Sequence, residues 1–182
     1  MKRLIILGFL IFVCLGLTAP EYAFAGEQDT ITTLFLVRHA EKAGTVWEDP
    51  PLTPAGAARA DELAYILKYV KLDAIYSTPF ERTKQTVLTT AKEKGLEVKL
   101  YKPNDKDFLE NVLQEFSGGT VLIVGHSNTI PRLANELAGQ PDFRDLDDAT
   151  YDNLFITSVP AEGKVAILRM CFGTHTPEKL ED

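Results

Sequence analysis

The chain changes period again and again. From Ile31 onward short apolar runs of strand character alternate with stretches whose apolar residues recur at helical spacing. Strands are expected at 32–37, 72–76, 96–101, 120–124, 154–158 and 164–169. Helices are expected at 54–70, 79–94, 105–116 and 128–138. The first helix has Thr53 to cap it, Pro54 at its first position, and Ala60, Leu63, Ala64 and Leu67 on one face. The second ends at Gly95 and places Thr83, Val87, Leu88 and Ala91 together; Gly139 stops the last. Such alternation predicts an α/β fold, a three-layer α/β/α sandwich around a mostly parallel sheet of about six strands. The last two strands, joined by Pro160-Ala161-Glu162-Gly163, read as a hairpin, so one strand should be antiparallel.

The N-terminus obeys different rules. Lys2-Arg3 precede an apolar run from Leu4 to Leu17, and Ala23-Phe24-Ala25 precede Gly26. A charged start, a short hydrophobic stretch and an A-x-A site describe a secretory signal peptide. As a helix the run would reach roughly 21 Å, short of a membrane's hydrocarbon thickness, so cleavage is expected rather than anchoring. Cys14 follows bulky Val13 inside that run, a poor setting for lipid attachment. The expected organisation is a signal peptide, 1–25, and one domain, 26–182, in the periplasm or outside the cell. Stable membrane association after cleavage is not expected.

Cleavage would leave Cys171 as the one cysteine, so the core and not a disulfide must hold the fold. The formal net charge is −7, and loss of Lys2, Arg3 and Glu21 makes it one unit more negative. An acidic domain is a poor nucleic-acid binder. An anionic ligand would need a local cationic pocket.

Three strand-to-helix junctions supply one. Leu34-Phe-Leu-Val37 leads into Arg38-His39-Ala40-Glu41-Lys42, and Val121-Leu-Ile-Val124 leads into Gly125-His126-Ser127-Asn128. Between them, Tyr76-Ser-Thr-Pro-Phe-Glu-Arg82 carries an arginine into a helix. Ligands of open α/β sheets collect at the carboxyl ends of strands. A neutral histidine can attack phosphorus and form a phosphohistidine that water hydrolyses. Arg38 and Arg82 can hold phosphoryl oxygens, as can His126 if protonated, and cationic neighbours would keep His39 unprotonated. Phosphoryl transfer is mostly positioning and electrostatics, so this set needs no metal or cofactor.

These residues resemble the histidine phosphatase superfamily, the group that includes phosphoglycerate mutases and small bacterial phosphohistidine phosphatases. The resemblance rests on Arg38-His39 in RHAEK, Arg82 in STPFERTKQT, His126 in GHSN and the Leu52-Thr53-Pro54-x-Gly56 segment. It implies that His39 is the phosphorylated nucleophile and that Arg38, Arg82 and His126 bind the transferred group of a small phosphorylated substrate. Ala40 stands where that family usually has glycine, and its phosphate-touching asparagine and acid-bearing insertion have no counterpart here. Asp105, Asp107 or Glu41 could supply the general acid; without one, good leaving groups would be favoured. A phosphohistidine protein phosphatase and a non-catalytic phosphate-binding module are the alternatives. Ser127 with Asp147 or Asp148 and His175 imitates a serine-hydrolase order, but β-branched Thr129 replaces the second glycine of its elbow. Asp142, Asp145, Asp147 and Asp148 read as a solvated loop, His175 as exposed, and Asn153 as holding a turn near the pocket.

Overall fold

A computed structural model describes residues 30–44 and 48–176. The expected signal peptide lies outside the described residues. Six strands and four helices follow in the order β1 (Ile31–Arg38), α1 (Pro54–Ile66), β2 (Ala74–Ser77), α2 (Glu81–Lys94), β3 (Val98–Leu100), α3 (Phe108–Glu115), β4 (Thr120–Gly125), α4 (Thr129–Ala138), β5 (Asn153–Pro160) and β6 (Ala166–Cys171). They form one sheet, ordered β3-β2-β4-β1-β5-β6. β3, β2, β4 and β1 run parallel; β5 pairs antiparallel with both β1 and β6, so β5 alone is reversed.

Side-chain parity along β1 and β4 explains the three layers. Leu34 and Leu36, with Val121 and Ile123, face Phe108, Leu109 and Val112 of α3 and Ile130 and Leu133 of α4. Phe35 and Val37, with Leu122 and Val124, face Leu63 and Leu67 at α1 and Val87 and Ala91 of α2. Strands buried on both faces need unbroken apolar runs, and these two have them.

The helices depart from their sequence pattern in two instructive places. α1 stops at Ile66, because Lys68 and Val70 donate backward to Tyr65 and Leu67 and tighten the chain into turns. On α2, Leu88 is exposed and the buried face is Thr83, Thr86, Val87, Thr90 and Ala91. The hydroxyls of Thr83 and Thr86 donate to the carbonyls of Phe80 and Arg82, so burial leaves both satisfied. α3 and β3 are shorter than their patterns suggest, 108–115 and 98–100.

α1 also shapes the site. Thr53 accepts from the Gly56 amide as its N-cap, and Thr53 N donates to Glu41 O at 2.8 Å. A Cβ at Gly56 would lie 2.2 Å from that same carbonyl oxygen. The glycine is there for close approach, since backbone cannot move aside as a side chain can. Gly56→Ala should cost about 1–3 kcal/mol, the usual price of overpacking, read as a lower urea midpoint at unchanged slope.

Candidate active site

Register brings the two histidines together. Arg38 is paired with Gly125 at the ends of β1 and β4, so the residues that follow, His39 and His126, leave the sheet side by side. His39 N donates to Gly125 O at 2.9 Å, and the two imidazole centroids are 5.5 Å apart. Ser77 pairs with Val124, which sets Thr78 beside them, and α2 then raises Arg82 one turn later. All four residues expected from the sequence converge at the carboxyl ends of three neighbouring strands.

Hydrogen bonds orient each ring. His39 Nδ1 lies 2.8 Å from Ala40 O, a pure acceptor, so Nδ1 carries the proton and Nε2 keeps its lone pair. Ala40 N donates to Thr86 Oγ1, and the Ala40 methyl is fully buried, which absorbs the alanine without strain in the loop. His126 Nδ1 faces Arg82 Nη2 at 3.5 Å, and its Nε2 lies 3.0 Å from Thr78 Oγ1. An arginine can only donate, so Nδ1 accepts and Nε2–H points to Thr78. Thr83 Oγ1, 2.9 Å from Thr78 Oγ1, anchors the relay to α2.

Burial is the main force on both rings. It drives the pKa of His39 down to about 3, with Arg38, His126 and Arg82 adding to the effect and the bond to Ala40 O opposing it. For His126 burial comes first, then Arg82 and Arg38, giving about 4. The cationic neighbours expected to keep His39 unprotonated do contribute, but desolvation outweighs them. Both rings are therefore neutral near pH 7 in the unliganded pocket.

The arginines are held differently. Arg38 is 2% exposed. Its Nη1 donates to the carbonyls of Asp147 at 2.6 Å and Thr150 at 2.7 Å, and the guanidinium lies 4.3 Å over the Tyr151 ring. Arg82 stacks 4.4 Å from Phe80 and meets Asp49 at 3.4 Å. The Nε atoms of Arg38 and Arg82 are buried without a hydrogen-bond partner among the described residues. Burial lowers the pKa of both groups, yet a guanidinium stays charged. Two orphaned cationic donors beside two neutral imidazoles are a setting for an anion with several oxygens.

The three carboxylates suggested as general acids do not join this group. Glu41 is taken by Arg59, whose Nε and Nη2 lie 2.7–3.1 Å from its oxygens. Arg59 also donates to the carbonyls of Phe172 and Thr174, tying the loop after His39 to the segment that follows β6. Asp105 accepts from the Asp107 amide ahead of α3. Neither Asp105 nor Asp107 lines the cavity of about 520 Å³ that opens against Arg82 and His126; Asp145 does. The segment read as a solvated acidic loop thus supplies Asp145 to the cavity and two carbonyls to Arg38. His175 lies 3.3 Å from Asp152 and is exposed, outside any relay with Ser127. Asn153 bonds Asp152 and Arg169 rather than a ligand position.

Two measurements check these electrostatics. Imidazole titration by NMR should show His39 and His126 still neutral at pH 5. Folded pKa values below the unfolded 6.5 mean that the unfolded state binds more protons, so this stability is full above about pH 6.5 and is lost as pH falls to about 3. Glu41→Ala leaves the buried Arg59 guanidinium with its two carbonyls but no carboxylate, and should cost about 2–3 kcal/mol in urea unfolding.

Residues 34–102, which span β1 to β3 with His39 and Arg82, match the model of the histidine phosphatase superfamily (branch 1). A 74-residue stretch is 42% identical to phosphoserine phosphatase 1 of Hydrogenobacter thermophilus, covering 36% of this chain and 34% of that protein. The match therefore spans about a third of that relative's length. The protein histidine phosphatase SixA complexed with tungstate superposes with a TM-score of 0.63 at 21% identity, over 76% of this chain and 96% of that one. A mycobacterial glucosyl-3-phosphoglycerate phosphatase gives 0.62 at 14% identity, over 70% and 90%. Residues 34–102 thus carry the sequence pattern of the histidine phosphatase superfamily, and the described chain carries its fold.

Proposed function

We propose that this chain is a phosphatase that hydrolyses small phosphomonoesters through phospho-His39. The observation that carries this reading is the pair of buried Nε donors of Arg38 and Arg82, without a partner among the described residues and set beside a neutral His39. The His39 Nε2 lone pair attacks phosphorus as the bond to the leaving oxygen breaks. A monoanionic phosphoryl group carries the proton that the leaving oxygen needs, so an alcohol departs. Water then attacks phosphorus, the P–N bond breaks, His39 recovers its lone pair, and inorganic phosphate leaves with the water's protons. Arg38, Arg82 and His126 hold the phosphoryl oxygens throughout. A bound phosphate raises the pKa of His126 and lets it donate.

Metal independence belongs to the same reading, because the arginines already supply the charge a metal would. Among the described residues no group of three or more His, Cys, Asp or Glu side chains is arranged to hold an ion. Export is also part of the proposal, with a mature chain beginning at Gly26. N-terminal sequencing of the exported protein tests it, and a start far from Gly26 or retention in the cytoplasm would sink it.

Residues 26–182 should hydrolyse an aryl phosphate in the presence of chelator, and His39→Ala should lose that activity. Activity kept by the variant would overturn the mechanism, whereas phosphate binding without turnover would favour the binding module. For an alkyl phosphate, kcat/KM should rise as pH falls through about 6, the second phosphate pKa, and turn down only near about 3, as His39 takes a proton in the free enzyme and loses the lone pair that attacks. An acid limb near the ordinary histidine pKa of 6.5 would contradict the buried neutral rings.

A further inference from the structure

The cavity beside the phosphoryl site carries charges of both signs. Arg82 and His126 form the wall nearest the phosphoryl site, its inner wall, and Arg132, Asp145, Asn104 and Asn128 are among its other lining residues. Arg132 sits one turn into α4, and its Nη2 donates to Pro103 O at 2.7 Å, which fixes the guanidinium against the far wall. Its carboxylate neighbour is Glu136, 3.6 Å away on the same helix; both side chains are nearly half exposed, and such a pair contributes little. Asp145, from the segment after α4, lines the same cavity, yet no ion pair joins it to Arg132 among the described residues.

Opposite charges that share a cavity without pairing leave both available to a ligand. A neutral leaving group would use neither. An anionic one would meet Arg132 and be opposed by Asp145. A group with both signs satisfies both, and the amides of Asn104 and Asn128 can bond either end.

We propose that this cavity is a leaving-group subsite for a zwitterion, an alcohol bearing a carboxylate and an ammonium. Arg132 takes the carboxylate and Asp145 the ammonium, while the phosphoryl group lies between Arg82 and His126. The substrate class is the phosphomonoester of an amino-acid-like alcohol. The inference rests on the phosphatase reading, which places the transferred phosphoryl group at the inner wall.

Four substrates separate the terms: O-phosphoserine carries both charges, phosphoglycolate the carboxylate, O-phosphoethanolamine the ammonium, and phenyl phosphate neither. Each kcat/KM is expressed as a ratio to that for phenyl phosphate. In the wild type the ratio for O-phosphoserine should exceed those for the other two alkyl phosphates by about tenfold. Arg132→Gln should cut the O-phosphoserine and phosphoglycolate ratios about tenfold and spare O-phosphoethanolamine. Asp145→Asn should cut O-phosphoserine and O-phosphoethanolamine and spare phosphoglycolate. Ratios unmoved by either substitution overturn the subsite, and hydrolysis of phenyl phosphate that requires His39 leaves the phosphatase reading standing in that event. If no substrate is turned over, the phosphatase reading fails and calorimetry decides the subsite. O-phosphoserine binding tighter than inorganic phosphate and weakened by Arg132→Gln supports it; binding no tighter than phosphate overturns it.

Discussion

A guanidinium buried at the end of a central strand governs this structure. Arg38 could not sit at 2% exposure unless its charge were met. The carbonyls of Asp147 and Thr150, the Tyr151 ring and, at 3.8 Å, the Asp148 carboxylate meet most of it. They leave the fully buried Nε without a hydrogen-bond partner among the described residues. A protein interior tolerates such a deficit where a ligand makes it good. Holding Arg38 in place also fixes Tyr151, and Tyr151 in turn stands 6.0 Å from the His39 ring.

The remaining parts follow from strand register. Pairing of Arg38 with Gly125 makes the two histidines neighbours, and a slip of one residue would send them to opposite faces. The α1 side adds a second restraint. Thr53, Gly56 and Arg59 grip the backbone and side chain of Glu41, two residues after His39. His39 is therefore clamped on both sides, by the sheet before it and by a helix after it. Preorganisation of this kind lets a site work with few groups, because little rearrangement remains for the reaction.

Local sequence was enough to read the alternation of strands and helices, the reversed strand near the end, and the junctions bearing His39, Arg82 and His126. Those features depend on period and on turn chemistry, which short windows contain. The pieces that escaped depend on distant partners. Thr86 and Thr90 look polar in sequence, and only the packing of α2 shows that they face inward. Glu41 and Arg59 lie 18 residues apart, and nothing local announces that they pair or that Phe172 and Thr174 complete the cluster. Asp145 and Asp147 belong to an acidic run whose composition suits solvent; what matters is where α4 ends and β5 begins. Burial, too, had to be seen before it could be ranked above charge as the cause of the neutral histidines.

The reversed direction of β5 has one more consequence. Its first residues pair with the last of β1, Leu154 opposite Val37, so the chain arriving at β5 brings Tyr151 beside His39. The parts that restrain Arg38 are thus separated from it by more than a hundred residues. A nascent chain that has reached α4 already holds His39, Arg82 and His126, but Arg38 has no carbonyls to rest against. Such long-range closure is slow compared with local folding. Assembly of the site therefore waits on the stretch of chain after α4, and a partly synthesised chain carries His39 without the scaffold that holds its neighbour Arg38.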